Sequence, residues 1–277
     1  MFLSLASIFL YLTATVLLGA RLISPGLSEN NGVRIALAGT TVSATMLHGL
    51  VLHRLILTDA GLDLGVSNAA SLIAWGIVLV LLFGAIARPI ANLGILVLPL
   101  AAITIAFALR YPGEQLLSKD VPLGVEIHVV VSILAASVLT IAAFQSAFLA
   151  FQERSLRRKR LRKVLRILPP LQLQESIFFQ LIGVGFFLLS LSLASGMAFI
   201  EDMFAQHLAH KTILSLLAWA VFAVLLWGRW RFGWRGRKVI RWGFIGFLAL
   251  MLAYFGSKLV LEIILGRAWY WTPNLFP

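Results

Sequence analysis

Eight stretches of this chain are each long and apolar enough to cross a bilayer, and that constrains its fold more than any other feature. A helix rises ~1.5 Å per residue, so about 20 apolar residues match a hydrocarbon layer roughly 30 Å thick. By that rule the spans are 2–20, 34–56, 69–87, 90–110, 124–151, 176–200, 210–228 and 242–264. Backbone polar groups find no water inside the layer, so each run satisfies its own by forming a helix. The breaks carry helix-stopping punctuation: Pro25-Gly26, the polar loop Asp59–Asn68, Arg88-Pro89, Tyr111-Pro112-Gly113 and Pro169-Pro170. The expected architecture is all-α, a polytopic integral membrane bundle of about eight transmembrane helices, with residues 1–277 as one transmembrane domain and no internal repeat.

Charge is sparse and unevenly placed. Only 12% of the residues are charged and 60% are hydrophobic, where a soluble domain carries roughly 25% charged residues. The net charge of +12 could signal nucleic acid, but fourteen of the 23 basic residues lie in two short clusters between apolar runs. One cluster is Arg154, Arg157, Arg158, Lys159, Arg160, Arg162, Lys163 and Arg166, on sequence that reads as a helical extension of span five up to Pro169-Pro170. The other fills an elbow, Gly228–Trp242, with Arg229, Arg231, Arg235, Arg237, Lys238 and Arg241 interleaved among tryptophans. Lys and Arg beside spans mark the cytoplasmic side, and Trp marks the interface. Membrane lipid, not nucleic acid, is therefore the expected partner of this charge.

With both clusters inside, loops 21–33, 88–89, 152–175 and 229–241 are cytoplasmic. Loops 57–68, 111–123 and 201–209 and both termini then lie outside, an N-out/C-out chain of a bacterial-type inner (plasma) membrane. The outer loops hold Asp59, Asp63, Glu114, Asp120, Glu201 and Asp202 against Lys119 alone, and Trp269-Tyr270-Trp271 reads as an outer aromatic belt. The N-terminal stretch has no basic leader and too long an apolar run for a signal peptide, so it is expected to be retained as the first span.

All five histidines fall toward the outer end of this topology. His48 and His53 lie about 20 and 30 Å along span two. His128 opens span five, and His207 and His210 flank the start of span seven. A histidine inside a membrane is costly without a partner. For His48 and His128 two roles stand open: axial ligand to a haem iron at the outer ends of spans two and five, or an imidazole hydrogen-bonded to a neighbouring carbonyl or hydroxyl. His53 and His207 read as interfacial. For His210, beside Lys211, three roles stand open, a ligand, a propionate contact or neither, and Arg54, Lys211 and Lys258 reach the same level as partners for the carboxylates of a haem placed there. His48 and His53 are about 140° apart on a helix, so they do not share one metal.

Other patterns carry less. There is no cysteine, which excludes disulfides and thiolate chemistry in this chain. Gly183-Val184-Gly185 sits inside a span and reads as helix packing. Ser190, Ser192 and Ser195 lack a histidine and an acid arranged as in a hydrolase. Lys258 and Glu262 are spaced to pair with each other.

The segment from Ala218 to Val260, with its GWRGRK elbow and a Gly- and Phe-rich span ending in Tyr254-Phe255-Gly256, resembles the closing pair of spans in cytochrome c assembly proteins of the CcsA/CcmC type. Glu126-Ile127-His128 resembles their external histidine region. Leu168-Pro169-Pro170-Leu171, followed by Glu175 to Gly196, is most similar to the short YpjD/HemX-like branch. That resemblance, which covers the chain from about His48 onward, implies haem handling at the outer face. It makes His128 the external axial ligand and His48 the histidine of an early span. By their level along the spans, His210, Arg54 and Lys258 are the residues expected around such a haem, which is expected to be b-type. Two features depart from the family pattern. The loop after span six holds no tryptophan, and Trp227 stands where a late histidine of span seven is expected.

The function expected is a non-enzymatic, haem-binding inner-membrane protein related to cytochrome c assembly factors, working with other membrane proteins of cytochrome c or haem metabolism. The alternative is an accessory or regulatory subunit of a transporter or haem-synthesis enzyme that binds no haem. A transporter ranks behind both, because its carboxylates would lie within spans, whereas Asp and Glu here fall in loops or at span ends.

Overall fold

The computed structural model describes residues 1–58, 61–111, 116–118, 122–157, 169–199 and 209–256. Eight helices in it are long and apolar enough to cross a membrane. They are built on α1 (Phe2–Ile23), α2 (Asn31–Ile56), α3 (Val66–Ala87), α4 (Gly94–Arg110), α5 (Leu123–Arg157), α6 (Leu171–Phe199), α7 (Ala209–Phe232) and α8 (Arg237–Met251); α4 reaches membrane length with the preceding 3-10 turn Ala91–Leu93, and α8 with the following π turn Leu252–Gly256. Their starts and stops follow local chemistry. Asn30 caps α2, its Oδ1 accepting from Gly32 N at 2.8 Å and Val33 N at 3.3 Å. Arg88, held extended by the following Pro89, ends α3. Pro122 opens α5, its carbonyl accepting from Val125 N and Glu126 N.

Two hydrophobic cores form side by side. One is built mainly from α1, α3 and α4, with Tyr11, Ile77, Leu98 and Ile105 buried at its centre; the other joins α5, α6, α7 and α8 around Leu139, Phe178, Phe222 and Leu250. Helix α5 faces both, contributing Ala136 and Ile141 to the first and Leu139 and Ala142 to the second. The α5–α6 pair approaches closely because Gly185 leaves room for Leu139: a Cβ there would stand 2.5 Å from Leu139 Cδ2. Gly183, two residues away, faces open space, so only one glycine of the expected packing pair packs. Hydrogen bonds from side chains to backbone carbonyls, and one to a side-chain amide oxygen, lace the helices where side chains are polar. Ser7 Oγ donates to Ala44 O (2.9 Å), Trp75 Nε1 to Thr45 O (2.9 Å), and Gln145 Nε2 to Gln174 O (3.1 Å) and to Gln174 Oε1.

The two ends of the bundle differ. At one end, β1 (Leu57–Thr58), β2 (Gly61–Asp63) and β3 (Leu116–Ser118) form an antiparallel sheet in the order β1-β2-β3, with Leu57 opposite Leu62 and Leu62 opposite Leu117. This sheet corrects the expectation of plain loops: strands of two or three residues are too short to show in a periodicity reading, and they form because the two connections meet. At the other end lie the basic segments. The expected elbow Gly228–Trp242 shrinks to a turn at Gly233–Gly236, since α7 runs on to Phe232 and α8 starts at Arg237. Gly233 and Gly236 make the reversal at φ +61 each. Arg229 and Arg231 thus sit in a helical last turn, where they complement the carbonyl end of the helix dipole. Helix α5 is 35 residues long, roughly 52 Å. It outreaches a 30 Å layer and carries Arg154 and Arg157 beyond it, as expected for an extended span five. Arg158, Lys159, Arg160, Arg162, Lys163 and Arg166 lie outside the described residues.

Candidate functional site at His128

His128 sits in the second turn of α5, half-buried against α6. Its Nδ1 is 3.0 Å from Ser192 O and 3.1 Å from Ser195 Oγ. A carbonyl oxygen only accepts, so Nδ1 carries the proton and donates it to Ser192 O; Ser195 Oγ donates to the same carbonyl at 3.0 Å. The lone pair is therefore on Nε2. The polar atom beside Nε2 is Ser132 Oγ at 3.5 Å, where a hydrogen bond is weak, and that hydroxyl is already 2.6 Å from Ser192 Oγ. One imidazole nitrogen anchored on a carbonyl and the other left basic is the arrangement that orients a metal-ligating histidine.

His128 lines a cavity of 270 Å³ between α3, α5, α6 and α7, whose wall includes Ile73, Ser132, Leu189, Lys211 and Tyr254. Tyr254 belongs to a π turn, Leu252–Gly256, that follows α8, and its hydroxyl donates to Ser132 O at 2.8 Å. Single π turns recur at functional sites because they re-aim side chains. For a haem, the donor chemistry fits: a basic imidazole nitrogen, walls mostly apolar, and a lysine on the lining. The volume stands just below the roughly 300–1,000 Å³ of small-molecule sites, so the cavity by itself is too small to enclose a whole haem. Among the described residues no three His, Cys, Asp or Glu side chains gather as a set for a bare metal ion.

His48 lies elsewhere, fully buried between α1, α2 and α3. Its Nδ1 is 3.3 Å from the Tyr11 hydroxyl and its Nε2 is 2.9 Å from Ser71 Oγ. The Tyr11 ring meets it edge-on. Both nitrogens are engaged by hydroxyls. Helix α3 separates the two histidines, carrying Ser71 toward His48 and Ala69 and Ile73 toward the cavity. His53 is exposed at the end of α2, and so is Arg54, which has no hydrogen-bond or ion-pair partner among the described residues. His210 falls in the first turn of α7 beside the cavity-lining Lys211; its side chain, with His207, Lys258, Glu262 and the Trp269–Trp271 belt, lies outside the described residues.

In the sequence, Ser190, Ser192 and Ser195 are weighed only as a hydrolase set and given no part in holding a histidine. Ser192 and Ser195 do meet a histidine, with no acid beside it among the described residues, and Ser132 joins them. The signal was present as spacing, since His128 and Ser132 are four apart and Ser192 and Ser195 three apart, each pair on one helical face.

These features define a multi-pass helical membrane protein with a histidine-lined cavity at one end of its bundle. The family model for cytochrome C assembly protein matches residues 3–265, and the chain belongs to that family. The Inner membrane protein YpjD of Escherichia coli (strain K12) is 34% identical over 251 residues, covering 88% of this chain and 93% of that one. A 28.8 kDa protein of Azospirillum brasilense is 33% identical over 199 residues, 70% of this chain and 73% of its own. The Cytochrome c biogenesis protein CcsA of Mesostigma viride is 29% identical over 101 residues, 36% of this chain and 33% of its own. No solved structure matches. With eight spans and relatives of this kind, the chain is a multi-pass protein of the bacterial inner membrane.

Proposed function

We propose that this protein binds a b-type haem at His128 and holds it near the outer face of the membrane for cytochrome c assembly. The observation that carries the reading is the His128 geometry: Ser192 O takes the Nδ1 proton and leaves Nε2 basic in the wall of a cavity. Membership of the cytochrome c assembly family supports it. Absence of cysteine fits non-covalent binding, because thioether attachment needs thiols from a partner. When bound, the haem supplies an iron that accepts an imidazole ligand.

The chain's own residues do the holding. Ser192 O and Ser195 Oγ fix the ring and its tautomer. Ile73, Ile133, Leu189 and Leu193 keep water from one side of the cavity, and Lys211, with His210 next to it and Lys258 four positions past Tyr254 in the sequence, offers cations for propionates. No covalent step is assigned to the chain; it acts as a holder, not a catalyst. His48 stands across α3 from this cavity with both nitrogens engaged by hydroxyls, so it would join as a second ligand only if α3 moved aside and Ser71 released Nε2, and Arg54 joins only from the outer rim. The basic segments face the cytoplasm, which puts both termini and the His128 end outside.

Pigment recovered with the protein from haem-fed cells tests this. Wild type should retain haem and His128→Ala should lose it, while His48→Ala reports whether the second histidine takes part. Equal haem in wild type and His128→Ala would remove the proposal. The fully engaged His48 nitrogens favour a second reading, an accessory subunit without haem. A single stoichiometric membrane partner and no pigment would support that one.

A further inference from the structure

The end of the bundle opposite His128 holds a second cavity, of 310 Å³, between the last turns of α5 and the first turns of α8. Arg154, Arg237 and Arg241 line it with Glu153, over the apolar side chains of Ala150 and Ile240. Three guanidinium groups thus face one carboxylate, and that carboxylate is over-committed. Glu153 Oε1 accepts from Arg157 Nη2 at 3.0 Å and Nε at 3.1 Å, and stands 3.5 Å from Arg237 Nε. Arg154 and Arg241 have no hydrogen-bond or ion-pair partner among the described residues. The amino end of α8 adds the positive pole of its dipole.

Depth selects the ligand. Trp242 adjoins Arg241 in sequence, Trp234 packs against Trp242, and Trp227 and Trp230 are exposed on the same end of the bundle. Exposed tryptophans of this kind sit at headgroup level. A cavity at that level with an apolar floor and unpaired guanidinium groups matches a phosphodiester joined to acyl chains better than a free anion, since guanidinium pairs phosphate in a bidentate fork. We propose that the α5–α8 cavity is a site for the phosphate of an anionic phospholipid, clasped by Arg154 from α5 and by Arg237 and Arg241 from α8. The bound lipid ties together the same two elements that bear His128 and, just past α8, Tyr254 at the far end.

The test uses the full chain in nanodiscs of phosphatidylcholine with increasing phosphatidylglycerol, reading thermal unfolding and, by native mass spectrometry, retained lipid. Wild type should gain stability with phosphatidylglycerol and retain it. The Arg154→Gln/Arg241→Gln variant should match wild type in phosphatidylcholine and lose at least about 100-fold in apparent phosphatidylglycerol affinity, because two charge-assisted hydrogen bonds to the phosphate are removed. Arg231→Gln/Arg235→Gln removes the same charge outside the cavity and should lose only the diffuse attraction, no more than about 30-fold. Equal loss in both double variants would show diffuse attraction and overturn the site. So would a wild type indifferent to phosphatidylglycerol, or one whose stabilisation inorganic phosphate reproduces in phosphatidylcholine. Should Arg154→Gln/Arg241→Gln fail to fold, wild-type protein must still retain phosphatidylglycerol over phosphatidylcholine; equal retention refutes the proposal.

Discussion

Replacing Tyr254 by phenylalanine removes one oxygen and keeps the ring that packs against both cores. What is lost is the 2.8 Å bond to Ser132 O, which tethers the π turn after α8 to α5 one turn beyond His128. Ser132 O lies within a regular helix and keeps its own i+4 amide partner, so no buried acceptor is stranded. The cost is therefore the bond alone, about 0.6 kcal/mol on average and up to about 1.7 for interhelical bonds in membranes. That equals a rise of roughly 3- to 18-fold in the unfolding constant. Tyr254→Ala also discards the ring and should cost about 3–5 kcal/mol. Reversible unfolding in mixed dodecyl maltoside and dodecyl sulfate measures both variants. A Tyr254→Phe variant that matches wild type would show that the tether contributes nothing. A loss above about 3 kcal/mol would show that the carbonyl depends on it, contrary to the reasoning.

Three further outcomes can be checked in the same unfolding assay. Gly185→Leu should destabilise by about 1–3 kcal/mol through overpacking on Leu139, whereas Gly183→Leu, facing open space, should stay within about 0.5 kcal/mol of wild type. Gly236→Ala should cost about 1–2 kcal/mol, because its φ of +61 is strained for any residue with a Cβ. Glu175→Ala removes the acceptor 2.8 Å from Gly236 N and should cost about 0.5–1.5 kcal/mol, an effect Glu175→Gln should partly retain.

The spans were legible because a bilayer imposes length and apolarity directly on sequence, and the eight helices begin and end near the predicted breaks. The tight turn was not, because Trp and Arg read as loop or interface while remaining helical: Arg229 and Arg231 extend α7, and Arg237 and Lys238 open α8. Lys238 Nζ lies 3.7 Å above the Trp234 ring, so the basic and aromatic residues of this segment satisfy one another locally. At the candidate site, His128 stood out by itself as a polar residue in an apolar run. Its partners did not, since hydropathy does not say which helices face each other. The α5–α6 contact that places Ser192 and Ser195 on His128 depends on Gly185 admitting Leu139, a matter of shape. The separation of His48 from His128 likewise follows from α3 passing between them.

The most direct test of the central claim is a titration of the purified protein with ferrous haem, followed in the Soret band, for wild type, His128→Ala and His128→Ala with added imidazole. Wild type should develop the spectrum of an imidazole-ligated haem, the variant should lose it, and imidazole should restore it by entering the space the side chain leaves. A His128→Ala protein with the wild-type spectrum, or a wild type that binds no haem, would contradict the account.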